Sequence, residues 1–282
     1  MHFVNKKYYM LFLLLLLSIN YGQSLVQVDD FGNFNQSTSF SFTTAGFFYV
    51  ADKESNEIVK IDTLGNIQKI IGGYGWSQST FDFPADVYTN ILNVFVADYN
   101  NNRIQTFDKD LNFLYEIKND KINFRYPTCV ATSNQGDIFI LDSDNKRIIK
   151  LNSKGEFQNS IGDFDAGEFQ LNAPEKFCVD DQFNLIVINK KQLFIFDQFG
   201  TGLNKIKLDF NPININSFFG NIVLVDSNAV YFGKLNDQNE IKFSKQQLRV
   251  DNEINDALLF NSKLYVLTNN SIIVYQVIGY SE

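Results

Sequence analysis

Apolar runs of about four residues, separated by polar turns, recur along the chain, and within the runs apolar and polar positions do not alternate. Val94-Phe95-Val96-Ala97 leads into the turn Asp98-Tyr99-Asn100-Asn101-Asn102, and a second run follows from Arg103 to Phe107. Continuous apolar runs of this length predict strands covered on both faces. The run that ends in a polar turn occurs six times, closing at Asp52, Asp98, Asp142, Asn189, Asp226 and Thr268, in steps of 46, 44, 47, 37 and 42 residues. A period near 40 means stacked supersecondary units. Each step has room for four short strands and their turns, the content of one propeller blade.

The second unit predicts its strands most sharply: Pro84 to Tyr88, Val94 to Ala97, Arg103 to Phe107 and Phe113 to Ile117. The hairpin joining strands three and four has its own signature, seen in Asp62-Thr63-Leu64-Gly65, Asn152-Ser153-Lys154-Gly155 and Asp197-Gln198-Phe199-Gly200. Asp or Asn caps the turn and Gly takes a positive φ. In the second unit Leu111 stands at the glycine position, so that turn is expected to be strained or differently shaped. The last unit supplies only three strands, from Asn255 to Ile278. Leu25-Val26-Gln27-Val28 is expected to provide the fourth and close the ring without an open edge. The expected fold is all-β: a six-bladed β-propeller of four-stranded antiparallel blades, one domain over residues 23–282.

Composition adds bulk and a compartment. The 29 Phe and 13 Tyr supply large side chains for the wedges between blades. At the N-terminus Lys6 and Lys7 precede the apolar core Met10 to Leu17, which is too short to span a membrane. This reads as a signal peptide over 1–22, with the mature chain outside the cytoplasm, secreted or periplasmic, and not inserted in a membrane. Cleavage there leaves 22 basic against 32 acidic residues and moves the net charge from −8 to −10. Nucleic-acid binding needs clustered Lys and Arg, so it is not expected. The only histidine, His2, goes with the leader. That removes His-ligated zinc, a Ser-His-Asp triad and imidazole acid–base catalysis. Cys129 and Cys178 occupy near-equivalent positions of neighbouring units and are expected as two buried thiols rather than a disulfide.

The segments Asp98-Tyr99-Asn100-Asn101-Asn102-Arg103-Ile104 and Asp142-Ser143-Asp144-Asn145-Lys146-Arg147-Ile148 resemble NHL repeats. So do the links Ile71-Gly72-Gly73-Tyr74-Gly75 through Phe81-Asp82-Phe83-Pro84, and Ile161-Gly162 through Gly167-Glu168-Phe169 to Pro174. The resemblance is to the secreted, bacterial type of these repeats and covers residues 45 to 200 well. It implies a six-bladed propeller and no single activity, since such propellers include binding scaffolds, RNA readers, lyases and lactonases. Glu57 stands where the family has Arg, which removes the usual Asp–Arg contact from the first unit. The lyases of this kind rely on histidines that the mature chain lacks.

Strand parity locates the expected site. The turn between strands two and three opens on the same face as the link to the next blade, so 99–103, 143–147 and their counterparts share a face with the links 72–83, 119–126, 162–173 and 209–214. Candidate ligand-binding residues on that face are Tyr74, Trp76, Tyr99, Asn101, Arg103, Arg125 and Tyr126. Exposed aromatics with Arg and Asn suit a protein, peptide or glycan ligand. The competing structural role gives Asp98 with Arg103, and Asp142 with Arg147, to the turn's own ion pair. Asp163, Asp165 and Glu168 form the best acidic group, but their spacing matches no calcium loop, and a solvated linker is the simpler reading. No catalytic residue, metal site or cofactor is expected, and the chain is expected to act as a monomer. The alternative is a calcium-dependent, lactonase-like hydrolase whose carboxylate and backbone-oxygen ligands come from different blades.

Overall fold

The computed structural model describes residues 24–118 and 122–279; the expected leader over 1–22 lies outside the described residues. The chain enters through β1 (Ser24–Phe31) and then lays down the blades in order. Blade one holds β2 (Ser37–Thr43), β3 (Phe47–Asp52), β4 (Glu57–Asp62) and β5 (Ile67–Gly72). Blade two holds β6 (Pro84–Thr89), β7 (Asn93–Asp98), β8 (Arg103–Asp108) and β9 (Phe113–Lys118). Blade three holds β10 (Pro127–Thr132), β11 (Ile138–Asp142), β12 (Arg147–Leu151) and β13 (Phe157–Ile161). Blade four holds β14 (Pro174–Val179), β15 (Leu185–Asn189), β16 (Gln192–Phe196) and β17 (Gly202–Lys207), and blade five β18 (Asn214–Phe218), β19 (Asn221–Val225), β20 (Ala229–Gly233) and β21 (Ser244–Gln247). Blade six takes β22 (Ile254–Phe260), β23 (Lys263–Thr268) and β24 (Ile272–Ile278), and its sheet runs β1-β24-β23-β22. The N-terminal strand therefore completes the last blade, as expected.

The two middle strands of each blade are the continuous apolar runs, and both of their faces are covered. Six buried clusters account for this among the described residues, each shared by two neighbouring blades. Blades one and two meet through Tyr49, Ile58, Phe81, Val94 and Phe107, and blades three and four through Phe139, Leu141, Phe177, Phe194 and Phe196. Full burial of each such side chain contributes about 1.5–3 kcal/mol. The outermost strands are different: β5 and β9 each expose half of their residues on the rim, Ile67, Gln68 and Ile70 in β5 and Leu114, Tyr115 and Lys118 in β9. The first strands touch in a closed circuit, β2 to β6 to β10 to β14 to β18 to β22 and back to β2, and line a central channel.

Two details of the turns follow from side-chain chemistry. Leu111 takes φ +55° and donates its N–H to Asp108 O at 3.0 Å, the hydrogen bond that Gly65 makes to Asp62 O, also at 3.0 Å. The turn is thus strained but not differently shaped. Leu111 tolerates the left-handed conformation because its side chain is buried against blade one. Cys129 and Cys178 are free and buried, each in the first strand of its blade.

Candidate functional site

The channel mouth is built by a recurring irregularity. In β2, β6, β10, β14 and β22 the register slips by one residue near the strand start, between Ser37 and Ser39, Pro84 and Asp86, Pro127 and Cys129, Pro174 and Lys176, and Ile254 and Asp256. Such a bulge leaves one residue unpaired and re-aims its side chain. The five unpaired residues, Thr38, Ala85, Thr128, Glu175 and Asn255, all line a cavity of about 290 Å³ at the channel mouth. Blade five has no slip in β18, and it contributes Ile213 and Asn214. Every blade thus sends residues to one pit.

One residue further in, the first strands present Ser39, Asp86, Cys129, Lys176, Asn216 and Asp256. Five of these bind the next blade of the ring. Ser39 accepts from Val87 N (2.9 Å), Asp86 from Val130 N (3.0 Å) and Asp256 from Phe40 N (3.3 Å). Cys129 donates to Phe177 O (3.3 Å), and Asn216 to Ala257 O (3.2 Å) and the Asp256 carboxylate (2.6 Å). Lys176 instead reaches across the channel to Asp86 (3.0 Å) and Ala85 O (3.2 Å). Burial holds the Asp256 carboxyl well above the ordinary carboxylate range. Burial also raises the Cys129 thiol, with Asp86 adding to the effect. Burial alone would depress Lys176, but Asp86, Cys129 and Asp256 outweigh it and hold its ammonium above the usual value. At the far end of the channel Phe42, Phe218 and Phe260 crowd together, with ring centroids 5.3–5.8 Å apart.

Around the mouth lies an aromatic strip. Phe83 and Tyr99 stand 5.3 Å apart, and Tyr99 and Tyr126 5.0 Å. Lys53 sits over the Phe83 ring at 5.8 Å and Arg125 over Tyr126 at 5.4 Å, so a cation closes each end. Phe83 and Tyr126 both precede a proline and both hold positive φ, +62° and +51°. Each is fixed by an asparagine of the preceding blade's turn: Phe83 N donates to Asn56 Oδ1 (2.7 Å) and Tyr126 N to Asn102 Oδ1 (2.8 Å). Bulky residues hold this conformation only where the surrounding structure over-determines it.

The candidate residues fall into three groups. Tyr99, Arg125 and Tyr126 join the strip. Tyr74 and Trp76 are 69% and 71% exposed on the link 72–83, with rings 6.3 Å apart and nearly perpendicular. Asn101 and Arg103 point inward. Asn101 holds Asp98 (2.9 Å) and Gly75 O (2.9 Å). Arg103 is 1% exposed and directs all five N–H groups at the protein: Nε to Asp98 (2.7 Å), Nη1 to Trp76 O (2.8 Å) and Glu116 (3.0 Å), Nη2 to Ser77 O and Thr80 O (both 2.9 Å). It therefore positions the Tyr74–Trp76 link and has no donor left for a ligand. Phe83, Lys53 and the bulge residues escape sequence reading; the signal for Phe83 is an aromatic residue before proline at the same place in two units.

The repeated turn now carries its full hydrogen-bond pattern, and a family model described as NHL repeat matches residues 124–151. The chain carries an NHL repeat. A stretch of 143 residues is 34% identical to Protein brain tumor of Drosophila melanogaster and covers 48% of this chain and 13% of that protein, so the chain spans a small part of the relative's length. Virginiamycin B lyase from Staphylococcus aureus shares the fold with a TM-score of 0.62 at 13% identity, over 91% of this chain and 100% of that one. A gluconolactonase from Xanthomonas campestris does so with a TM-score of 0.66 at 10% identity, over 88% of each chain. At such identities the likeness to solved structures is one of fold.

Within the NHL repeat of blade three the Asp–Arg contact recurs, with Arg147 Nε 3.0 Å from Asp142. In blade one, where Glu57 replaces the arginine, backbone N–H groups of Asn35 (2.6 Å), Gln36 (3.1 Å), Glu54 (3.1 Å) and Ser55 (3.3 Å) satisfy Asp52 instead. The acidic link does not converge: Asp163 pairs with Arg147 (3.3 Å) and Glu168 with Lys205 (3.2 Å). Nor does the channel's donor set fit calcium. The Asp86 carboxylate is taken by the Lys176 ammonium at 3.0 Å, which puts a fixed positive charge where a cation would have to sit.

Proposed function

We propose that this propeller is a non-catalytic binding module, exported from the cytoplasm and acting as a monomer, which takes a protein, peptide or glycan ligand on the channel-mouth face. The observation that carries the reading is the aromatic strip Phe83–Tyr99–Tyr126, capped by Lys53 and Arg125 and held on a strained, hydrogen-bonded backbone beside the pit. Rigid aromatics offer contact area at low entropic cost and are the side chains that dominate binding hot spots. A net charge of −8 over the full sequence opposes nucleic-acid phosphates. Among the described residues no helix is long and apolar enough to cross a membrane. The leader-like N-terminus supports export.

The test is a screen of the whole chain on peptide and glycan arrays, repeated with Trp76→Ala and Tyr99→Ala. Both variants remove exposed or half-exposed rings, so they should leave Tm unchanged and weaken the captured ligand by about tenfold or more. Ligands that bind both variants as well as the parent would end this reading. Calcium gives the second arm: a melting temperature unchanged by calcium or EDTA is expected. A rise of several degrees with calcium would favour a lactonase-like hydrolase.

A further inference from the structure

The hydrogen bonding around the mouth is complete on one side and interrupted on the other. On the complete side each rim residue donates to the backbone of the next blade. Asn214 Nδ2 donates to Asn255 O (3.1 Å), Asn255 Nδ2 to Ser37 O (2.6 Å), and Thr38 Oγ1 to Pro84 O (3.0 Å). This arc runs from blade five through six and one to blade two. It stops at Ala85, which has no donor. The remaining bulge residues, Thr128 and Glu175, do not resume it. Thr128 has a buried hydroxyl with no hydrogen-bond partner. Glu175 is exposed at the mouth and its side chain makes no hydrogen bond or ion pair among the described residues; partial desolvation raises its carboxyl above the usual value. Two lysines of the chain also line the pit, and both are engaged elsewhere: Lys176 with Asp86 and Ala85 O, and Lys53 over the Phe83 ring.

The open arc therefore leaves the Glu175 carboxylate and the Thr128 hydroxyl without partners, while its apolar wall is supplied by Phe83, Ala85 and Ile213. We propose that the channel mouth receives one basic side chain, Lys or Arg, of a polypeptide partner, with its methylene stem against Phe83 and Ile213 and its charged head on Glu175. The pit of about 290 Å³ admits one such side chain. A guanidinium or ammonium provides the missing donors, and an acidic protein with a sequence pI near 4.8 favours a cationic approach. A charge-assisted hydrogen bond to an otherwise unpaired carboxylate is among the stronger polar contacts available to a ligand. The proposal rests on the reading of this face as a polypeptide-binding surface and names the group that enters it.

Calorimetric titration of the full chain with Ac-Ala-Arg-Ala-NH2, Ac-Ala-Lys-Ala-NH2, Ac-Ala-Glu-Ala-NH2 and putrescine tests it. The two basic tripeptides are expected to bind, and Glu175→Gln should weaken them by about tenfold or more with Tm unchanged. Three results would overturn the proposal: equal binding of the glutamate tripeptide, tighter binding of putrescine than of either basic tripeptide, or full affinity in Glu175→Gln. Absence of binding by both basic tripeptides would overturn it too. If array ligands still depend on Trp76 and Tyr99 while Glu175→Gln binds as the parent does, the face reading survives and only the side-chain assignment falls.

Discussion

At the scale of single residues, Arg103 shows how a buried side chain can position an exposed link. Its guanidinium lies in the interior, joined to Asp98, Glu116 and three carbonyls of the link that displays Trp76. Arg103→Ala leaves Asp98, which is fully buried, without its ion-pair partner. Breaking a buried pair in this way costs about 3–5 kcal/mol, so Tm should fall by on the order of 10 °C. Arg103→Lys should recover little, because an ammonium cannot reproduce a planar five-donor fork. The emission of Trp76, the sole tryptophan, should also shift as its link loosens; a variant with parental Tm and emission would refute this role. Leu111 poses a second question of competing magnitudes. Leu111→Gly relieves about 1–2 kcal/mol of left-handed strain but forfeits burial of a side chain that is 2% exposed, worth about 2–5 kcal/mol. Net destabilisation of about 1–3 kcal/mol is expected in urea unfolding, and a stabilised variant would mean that strain outweighs packing at this turn.

At the scale of the element, the first strand of each blade does most to define the site, and its inner ring makes stability depend on pH. Asp256 has a folded-state value raised well above that of the unfolded chain, so the native state holds a proton that the unfolded state has released. Stability from this group is present at low pH and is lost as pH climbs from the ordinary carboxylate value through the raised one. Lys176, also raised, loses its contribution only as pH passes through its own folded-state value, above the normal lysine range. Asp256→Asn should therefore flatten the decline of Tm as pH rises above the ordinary carboxylate range; an unchanged slope would place the titration elsewhere. How much of this is legible in the sequence depends on reach. Runs such as Val94 to Ala97 and turns such as Asp62 to Gly65 are local patterns, and both strands and turns fall where those patterns place them. A bulge leaves no compositional trace, because Thr128 and Glu175 differ in type and only cross-strand register reveals that both are unpaired. The Lys176–Asp86 contact joins residues 90 apart in sequence that meet only through the closed ring. Arg103 is legible as a turn residue but not as the anchor of the link before it, since its partners there are backbone carbonyls that any sequence would supply.

At the scale of the whole molecule, everything at the mouth depends on the ring being closed, and closure depends on one strand far from the site. β1 pairs with β24 from Ser24↔Ile278 to Phe31↔Ile272, and Leu25 packs against the cluster shared by blades five and six. Most of β1 is otherwise exposed, so its contribution comes from backbone pairing and from covering the edge of β24 rather than from its own burial. Without it β24 becomes an open edge, and the wedge between blades six and one, built on Phe40, Phe48, Tyr265 and Val274, loses its outer support from Phe31. The rim hydrogen bonds from Asn255 to Ser37 O and from Phe40 N to Asp256 cross this same seam. Deleting residues 24–31 should accordingly lower Tm by 10 °C or more, on the order of several kcal/mol for a domain of this size, and broaden the transition. It should also weaken binding of the basic tripeptides proposed for the channel mouth, although no deleted residue lines the pit. A truncated chain that melts within about a degree of the parent would show that the six wedges close the ring without the N-terminal strand.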